Sequence, residues 1–188
     1  MTPATETTIP EYVIGADVSR FTIRAFAGGL LSAMGHNPVV ATHNLNGEIR
    51  GDPADPEHAS LHMRIKTADL TVENDMHEKD RREMMRVMRE EVLEVERYPE
   101  IEYRSAAVSS LGDGRVLIEG NLTLHGVTRV QRVTAQLSLT GVLLRAFGDF
   151  TVRQTDYRIK LASVAGGALK LKDELKITFD IVAQRRVE

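Results

Sequence analysis

The stretch NDMHEKDRREMMRVMREEVLEVERYPEI, residues 74–101, decides how the rest of the chain is read, because it carries the one convincing helical pattern in a sequence that otherwise alternates like strands. Met84, Val87, Met88, Val92 and Val95 recur at i, i+3, i+4, i+8 and i+11, and Met85 widens that apolar stripe. Arg82, Arg86, Arg89 and Glu90 take the opposite side and are expected to face water. Glu78 with Arg82 and Arg86 with Glu90 are i,i+4 pairs of modest value. Asp75 is the expected N-cap, with Glu78 three residues on as its reciprocal partner. Pro99 is expected to stop the helical pattern and to push Tyr98 toward extended geometry. An amphipathic, Met-rich helix among strands must cover something apolar.

What it covers is read from the flanks. Before the helix, residues 19–27 alternate with Phe21, Ile23 and Ala25 on one face and Arg20, Thr22 and Arg24 on the other. A break at Gly28-Gly29, a short apolar segment at 30–34 and a turn at Gly35-His36-Asn37-Pro38 follow. Residues 39–50 read as one further strand, and 51–57, with two Asp-Pro steps, as a surface loop. Residues 59–67 alternate cleanly, setting Leu61, Met63 and Ile65 against His62, Arg64 and Lys66. After Pro99 the strand pattern resumes. Ile101, Tyr103 and Ser105 share a face, Gly112-Asp113-Gly114 is a hairpin turn, and Val116, Ile118, Leu122 and Leu124 point inward. His125 to Thr128 turns the chain into residues 129–139, and segments 146–160 and 174–184 supply two more strands, with a loop at Gly166-Gly167 between them.

About eight strands, each half apolar, predict an antiparallel sheet that buries one face, and closing it into a barrel removes its edges. Aromatics are only 5% of the chain and Trp is absent, so the interior is lined by Val, Ile, Leu and Met. Such a barrel is a plausible container for one ligand, although a close-packed two-sheet sandwich would use the same residues.

Composition narrows the classes further. With 188 residues, 42% hydrophobic and 27% charged, the chain is expected to form a short flexible arm over 1–10 and one domain over 11–188. A net charge of -3 without a sustained basic run outside the helix argues against a nucleic-acid partner. The absence of cysteine excludes disulfides, thiolate catalysis and sulfur-ligated zinc. No apolar run approaches the roughly 20 residues needed to span a bilayer, so stable membrane insertion is not expected. Residues 1–10 show neither a basic nor an apolar targeting region, and the expected location is cytoplasmic.

Three segments resemble the YceI-like family of lipocalin-like, lipid-binding proteins. Gly120-Asn121-Leu122-Thr123-Leu124-His125-Gly126-Val127-Thr128 resembles that family's hairpin pattern and is the most specific of them. Tyr98-Pro99-Glu100-Ile101 with Ser105 is similar to the pattern that follows its helix. Leu31-Ser32-Ala33-Met34-Gly35-His36 resembles a branch with Gly-His followed by Asp-His, where this chain has Asn37-Pro38 instead. Residues 148–157 and 173–181 also fit the closing strands. The resemblance implies a mainly β fold, an eight-stranded antiparallel lipocalin-like barrel with one amphipathic helix closing the side. It further implies an apolar tunnel for a polyisoprenoid, an isoprenoid quinone or a fatty chain, and no catalytic residue, metal or cofactor.

The residues expected to touch such a ligand are Phe21, Ile23, Met34, His36, Met63, Met84, Met88, Tyr103, Leu122, Phe150 and Tyr157. Each also has a plainer reading. The Met stripe is more often ordinary core, and the ring of His125, in a tight turn, is more often bonded to backbone. Six histidines invite a metal, with His36, His43, His77 and His125 as candidates, but none shows a recognised ligand spacing; His58 and His62 sit on a loop and a strand. The alternative is a hydrolase-like or metal-dependent enzyme using His36 at the barrel mouth. The self-association open to such a barrel is a homodimer.

Overall fold

The computed structural model describes residues 9–28, 37–164 and 169–186. Alternating side chains and short turns give an almost continuous antiparallel ladder. It begins with β1 (Glu11–Ile14) and β2 (Arg20–Gly28), which behave as one strand interrupted at 15–19. Ser19 repairs the interruption: its buried hydroxyl donates to the Val182 carbonyl and accepts from the Val182 N–H at 3.0 Å. β3 (Val39–Thr42) and β4 (Leu45–Asp52) form the second strand, and β5 (Asp55–Lys66) with β6 (Thr71–Val72) the third. α1 (Glu78–Val87) follows, then β7 (Glu100–Gly112), β8 (Arg115–Leu124), β9 (Val127–Thr140), β10 (Leu143–Arg153), β11 (Ser163–Val164) and β12 (Leu169–Arg185).

The ladder runs β1-β4-β5-β7-β8-β9-β10-β12, and β12 returns to β1 through Tyr12↔Arg185 and Ile14↔Ala183. That pairing closes an eight-stranded antiparallel barrel, which leaves no long unpaired edge among the described residues. β2 extends the closure by pairing β12 from Phe21↔Phe179 to Gly28↔Lys170. The period of two sends Ile101, Tyr103, Leu122, Leu124, Val133, Ala135, Leu144, Ile177 and Phe179 inward, and all are buried.

Several expectations need correction. The stretch 39–50 is not one strand: it breaks at His43-Asn44, where the Thr42 hydroxyl accepts the Asn44 N–H at 3.0 Å. Residues 51–57 are not a loop, because β4 runs to Asp52 and β5 starts at Asp55, leaving a tight hairpin. The helix does not fill 74–101. It starts at Glu78 with His77 as N-cap and no side-chain cap, since the preceding chain is tied to β3 by Asn74, whose Oδ1 accepts the Val39 N–H at 2.7 Å. It widens over Met88–Val92, where the Leu93 N–H bonds the Met88 carbonyl at 2.8 Å, and ends as Glu94 turns left-handed at φ 46°. Pro99 therefore lies beyond the helix, where its carbonyl accepts the Thr67 N–H at 2.9 Å. Arg89 faces water only in part; it is half-buried, and its guanidinium donates to the Ala68 carbonyl at 2.8 Å. Of the two expected pairs on the helix, Arg86–Glu90 forms at 3.1 Å, and Arg86 also meets Glu83 and Glu91; Glu78–Arg82 is not among the ion pairs of the described residues.

Candidate functional site: an apolar lumen in two lobes

The turns of the β8–β9 hairpin explain its sequence in structural terms. Leu124 pairs Val127, so only His125 and Gly126 make the turn, and both have positive φ, 50° and 72°. A side chain at Gly126 would meet the Tyr98 ring at 2.6 Å, and one at Gly120 would meet Tyr103 Cζ at 2.6 Å. The His125 ring lies 4.1 Å from the Tyr98 ring, and its Nδ1 donates to the Tyr157 carbonyl at 3.2 Å, the backbone partner expected for it. Leu122 and Leu124 point the other way, into the barrel.

There the barrel is hollow. The larger lobe encloses about 380 Å³ under the helix. Phe21, Ile23, Leu122, Phe150 and Ile177 form its sheet side, and Met84, Val87, Met88, Val92 and Leu93 its helix side. A second lobe of about 90 Å³ runs toward the β4–β5 hairpin, bounded by Pro53, Pro56, Met63, Tyr103, Leu137 and Leu144. Phe21, Ile101, Leu122 and Phe150 line both, so the lobes meet at a waist of two aromatic rings and two aliphatic side chains. Asp80, Glu83 and Gln154 are polar members of the larger lining; the two acids are exposed on α1, while Gln154 is buried and donates to the Lys172 carbonyl at 2.9 Å. The Tyr103 hydroxyl is pushed up to about 12, chiefly by burial and secondly by the Glu119 charge, so it stays a protonated donor, in reach of the Ile118 and Gln131 carbonyls at 3.2 and 3.1 Å.

The structure gathers most of the expected residues on this lumen. Phe21, Ile23, Met84, Met88, Leu122 and Phe150 line the larger lobe, and Met63 and Tyr103 the smaller one. Tyr157 is not on it: it is buried in the turn after β10, and its carbonyl serves His125. Met34 and His36 lie outside the described residues, as do the segment 30–34 and Gly166-Gly167. Sequence reading missed Leu70, Val72, Leu93 and Ile159. Leu70 and Val72 carry a two-residue alternation that could have revealed them. Ile159 had no such signal, since it is aimed inward by the left-handed Arg158 at φ 57°. Among the described residues no group of three or more His, Asp or Glu is placed to hold a metal ion, and no helix is long and apolar enough to cross a membrane.

A closed eight-stranded barrel, hollow and apolar within and covered on one side by an amphipathic helix, defines the class: a small barrel built around an internal cavity. The chain belongs to the YceI-like domain family, whose pattern matches residues 12–183. A UPF0312 protein of Pseudomonas putida (strain W619) is 32% identical over 109 residues, 56% of this chain and 52% of that one. One from Shewanella baltica is 28% identical over 106 residues with the same coverage. The chain thus spans about half the length of the curated relatives it matches. Among solved structures, Burkholderia cenocepacia BcnA is similar with a TM-score of 0.72 and 18% identity, over 90% of this chain and 98% of that one. A polyisoprenoid binding domain from Saccharophagus degradans, implicated in plant cell wall breakdown, has a TM-score of 0.69 and 14% identity, over 93% and 98%. At these identities the likeness shows the fold.

Proposed function

We propose that this protein binds a long-chain hydrophobic ligand, a polyisoprenoid, an isoprenoid quinone or a fatty chain, inside the barrel, and carries or sequesters it without chemical change. The observation that carries the reading is the hollow interior of about 380 Å³, within the roughly 300–1,000 Å³ common for ligand sites. Its walls are aliphatic, aromatic and thioether groups drawn from seven strands and the helix. Burying an alkyl chain there is worth about 0.8 kcal/mol per methylene, so a dozen buried carbons contribute on the order of 10 kcal/mol against association costs of at least about 4 kcal/mol. Affinity then needs no strong polar contact. The flexible thioethers of Met84 and Met88 suit a chain of variable shape. The polyisoprenoid named for the Saccharophagus degradans domain of the same fold supports this ligand class.

The test is direct. Purified protein extracted with organic solvent and examined by mass spectrometry is expected to release a single-chain lipid in stoichiometric amount, and protein stripped of lipid is expected to rebind a fluorescent prenyl or acyl probe. Protein that yields no lipid and takes up no probe would overturn the reading.

A further inference from the structure

We infer that the lumen is a length gauge: it takes a single chain of about fifteen carbons in the larger lobe and about four more past the waist, and buries no more of a longer chain. The inference rests on the container reading above and adds the size class of the ligand.

The scale comes from a general observation. An apolar protein cavity of about 150 Å³ holds one benzene, or about 25 Å³ per carbon. On that scale the larger lobe, about 380 Å³, accommodates about fifteen carbons, and the smaller, about 90 Å³, about four. Fifteen carbons are three isoprene units, and nineteen approach four. Pro53 and Pro56 of the β4–β5 hairpin line the far end together with Leu137 and Leu144, which belong to the closely paired β9 and β10. Protein interiors resist expansion because their packing is dense, so whatever part of a chain exceeds the two lobes must project from them.

The waist makes the two lobes separable. Phe21, Ile101, Leu122 and Phe150 border both, and Phe150 is the least enclosed of the four, with its ring 6.3 Å from that of Phe179. A chain of three isoprene units fills the larger lobe without passing them. One of four reaches the smaller lobe, where Ala146 borders free space.

The experiment offers delipidated protein an equimolar series of isoprenols, from two to eight isoprene units, and reads each complex by native mass spectrometry and competition. Affinity is expected to climb by about fourfold per buried carbon at most, up to four units, and then to level off. Ala146→Leu adds three carbons to the small lobe and is expected to move the levelling point down to three units. Leu144→Ala removes three from its wall, a little over half an isoprene unit, and is expected to let the five-unit isoprenol bind more tightly than the four-unit one; it carries the test if the first variant does not fold. Affinity that keeps climbing through eight units, or a levelling point that neither folded variant moves, overturns the gauge while leaving the container intact. Failure of every isoprenol to bind removes the container and the gauge with it.

Discussion

The Nε2 atom of His125 lies 2.9 Å from the Glu94 carboxylate, and the His125 side chain is only 8% exposed. This contact joins the turn that ends the helix to the β8–β9 hairpin, while Nδ1 of the same ring holds the Tyr157 carbonyl. The imidazole thus ties three loops at the helix end of the barrel. His125→Ala is expected to cost about 1–3 kcal/mol in chemical denaturation, the usual consequence of leaving buried partners unsatisfied. Retention of full stability would show that the tie is incidental.

Gly120 and Gly126 make a sharper prediction. Gly126→Ala sets a Cβ against Tyr98 at φ 72°, and Gly120→Ala sets one 2.5 Å from the Arg104 carbonyl oxygen. Each is expected to lose about 1–3 kcal/mol through overpacking, with the left-handed strain adding about 1–2 kcal/mol at Gly126. Thermal melts of the two variants measure this.

Acid is expected to loosen the junction of β10 and β12 through Asp173. Its carboxylate accepts the Thr155 N–H at 2.8 Å and the Thr155 hydroxyl at 2.7 Å, and it pairs with Arg153, all of which hold it below the ordinary carboxylate range. Its folded pKa lies below the unfolded one, so its stabilisation is complete above the ordinary carboxylate range. That stabilisation is lost as pH falls through the lowered value. Asp173→Asn should flatten the stability curve over that acid range; an unchanged slope would remove the residue from the account.

The helix side of the lumen offers a test of occupancy. Met88 is half-buried and faces the larger lobe. Met88→Lys puts an ammonium where burial without a partner is costly, and it is expected to lower lipid retention at least tenfold in the extraction assay while the barrel's strand signal in circular dichroism persists. Lipid content equal to wild type would take the helix off the ligand.

The head group should matter less than the chain, and in a stated direction. Asp80 and Glu83 are the acidic members of the larger lining, so an uncharged terminal alcohol is expected to bind a few-fold better than a carboxylate of equal length. The preference is small because both acids are exposed and screened. Repeating the comparison in high salt should shrink it.

Much of this was legible in the sequence, for reasons that lie in particular residues. Strict alternation, as in Leu61, Met63 and Ile65, betrays a strand because one face must be buried. The helix stripe through Met84 and Met88 was equally plain, yet its end was not: the apolar period runs on through Val95, while the chain leaves the helix at the left-handed Glu94. The break at His43-Asn44 is held by polar contacts with Thr42, Ser19 and Asp69, and no pattern of hydrophobicity records it. The Gly120 and Gly126 positions acquire their meaning only beside Tyr103 and Tyr98, which are distant in the chain. Least legible was the hollow itself, since Val, Ile, Leu and Met fill a solid core or line an empty one without any change in order or spacing.

No residue of α1 or of the widened turn Met88–Val92 is fully buried, even though Met84, Val87 and Met88 point at the barrel. Between these side chains and the sheet lies the larger lobe rather than packed core. A bound chain would supply the missing neighbours, so filling the lumen and fastening the helix are one thermodynamic event. A ligand present at a hundred times its dissociation constant adds about 2.7 kcal/mol to the stability of the state that binds it. Loaded and unloaded molecules would then differ in lifetime as well as content, with proteases finding α1 first in the unloaded ones. Whatever controls the supply of lipid would in this way also control how much of the protein survives.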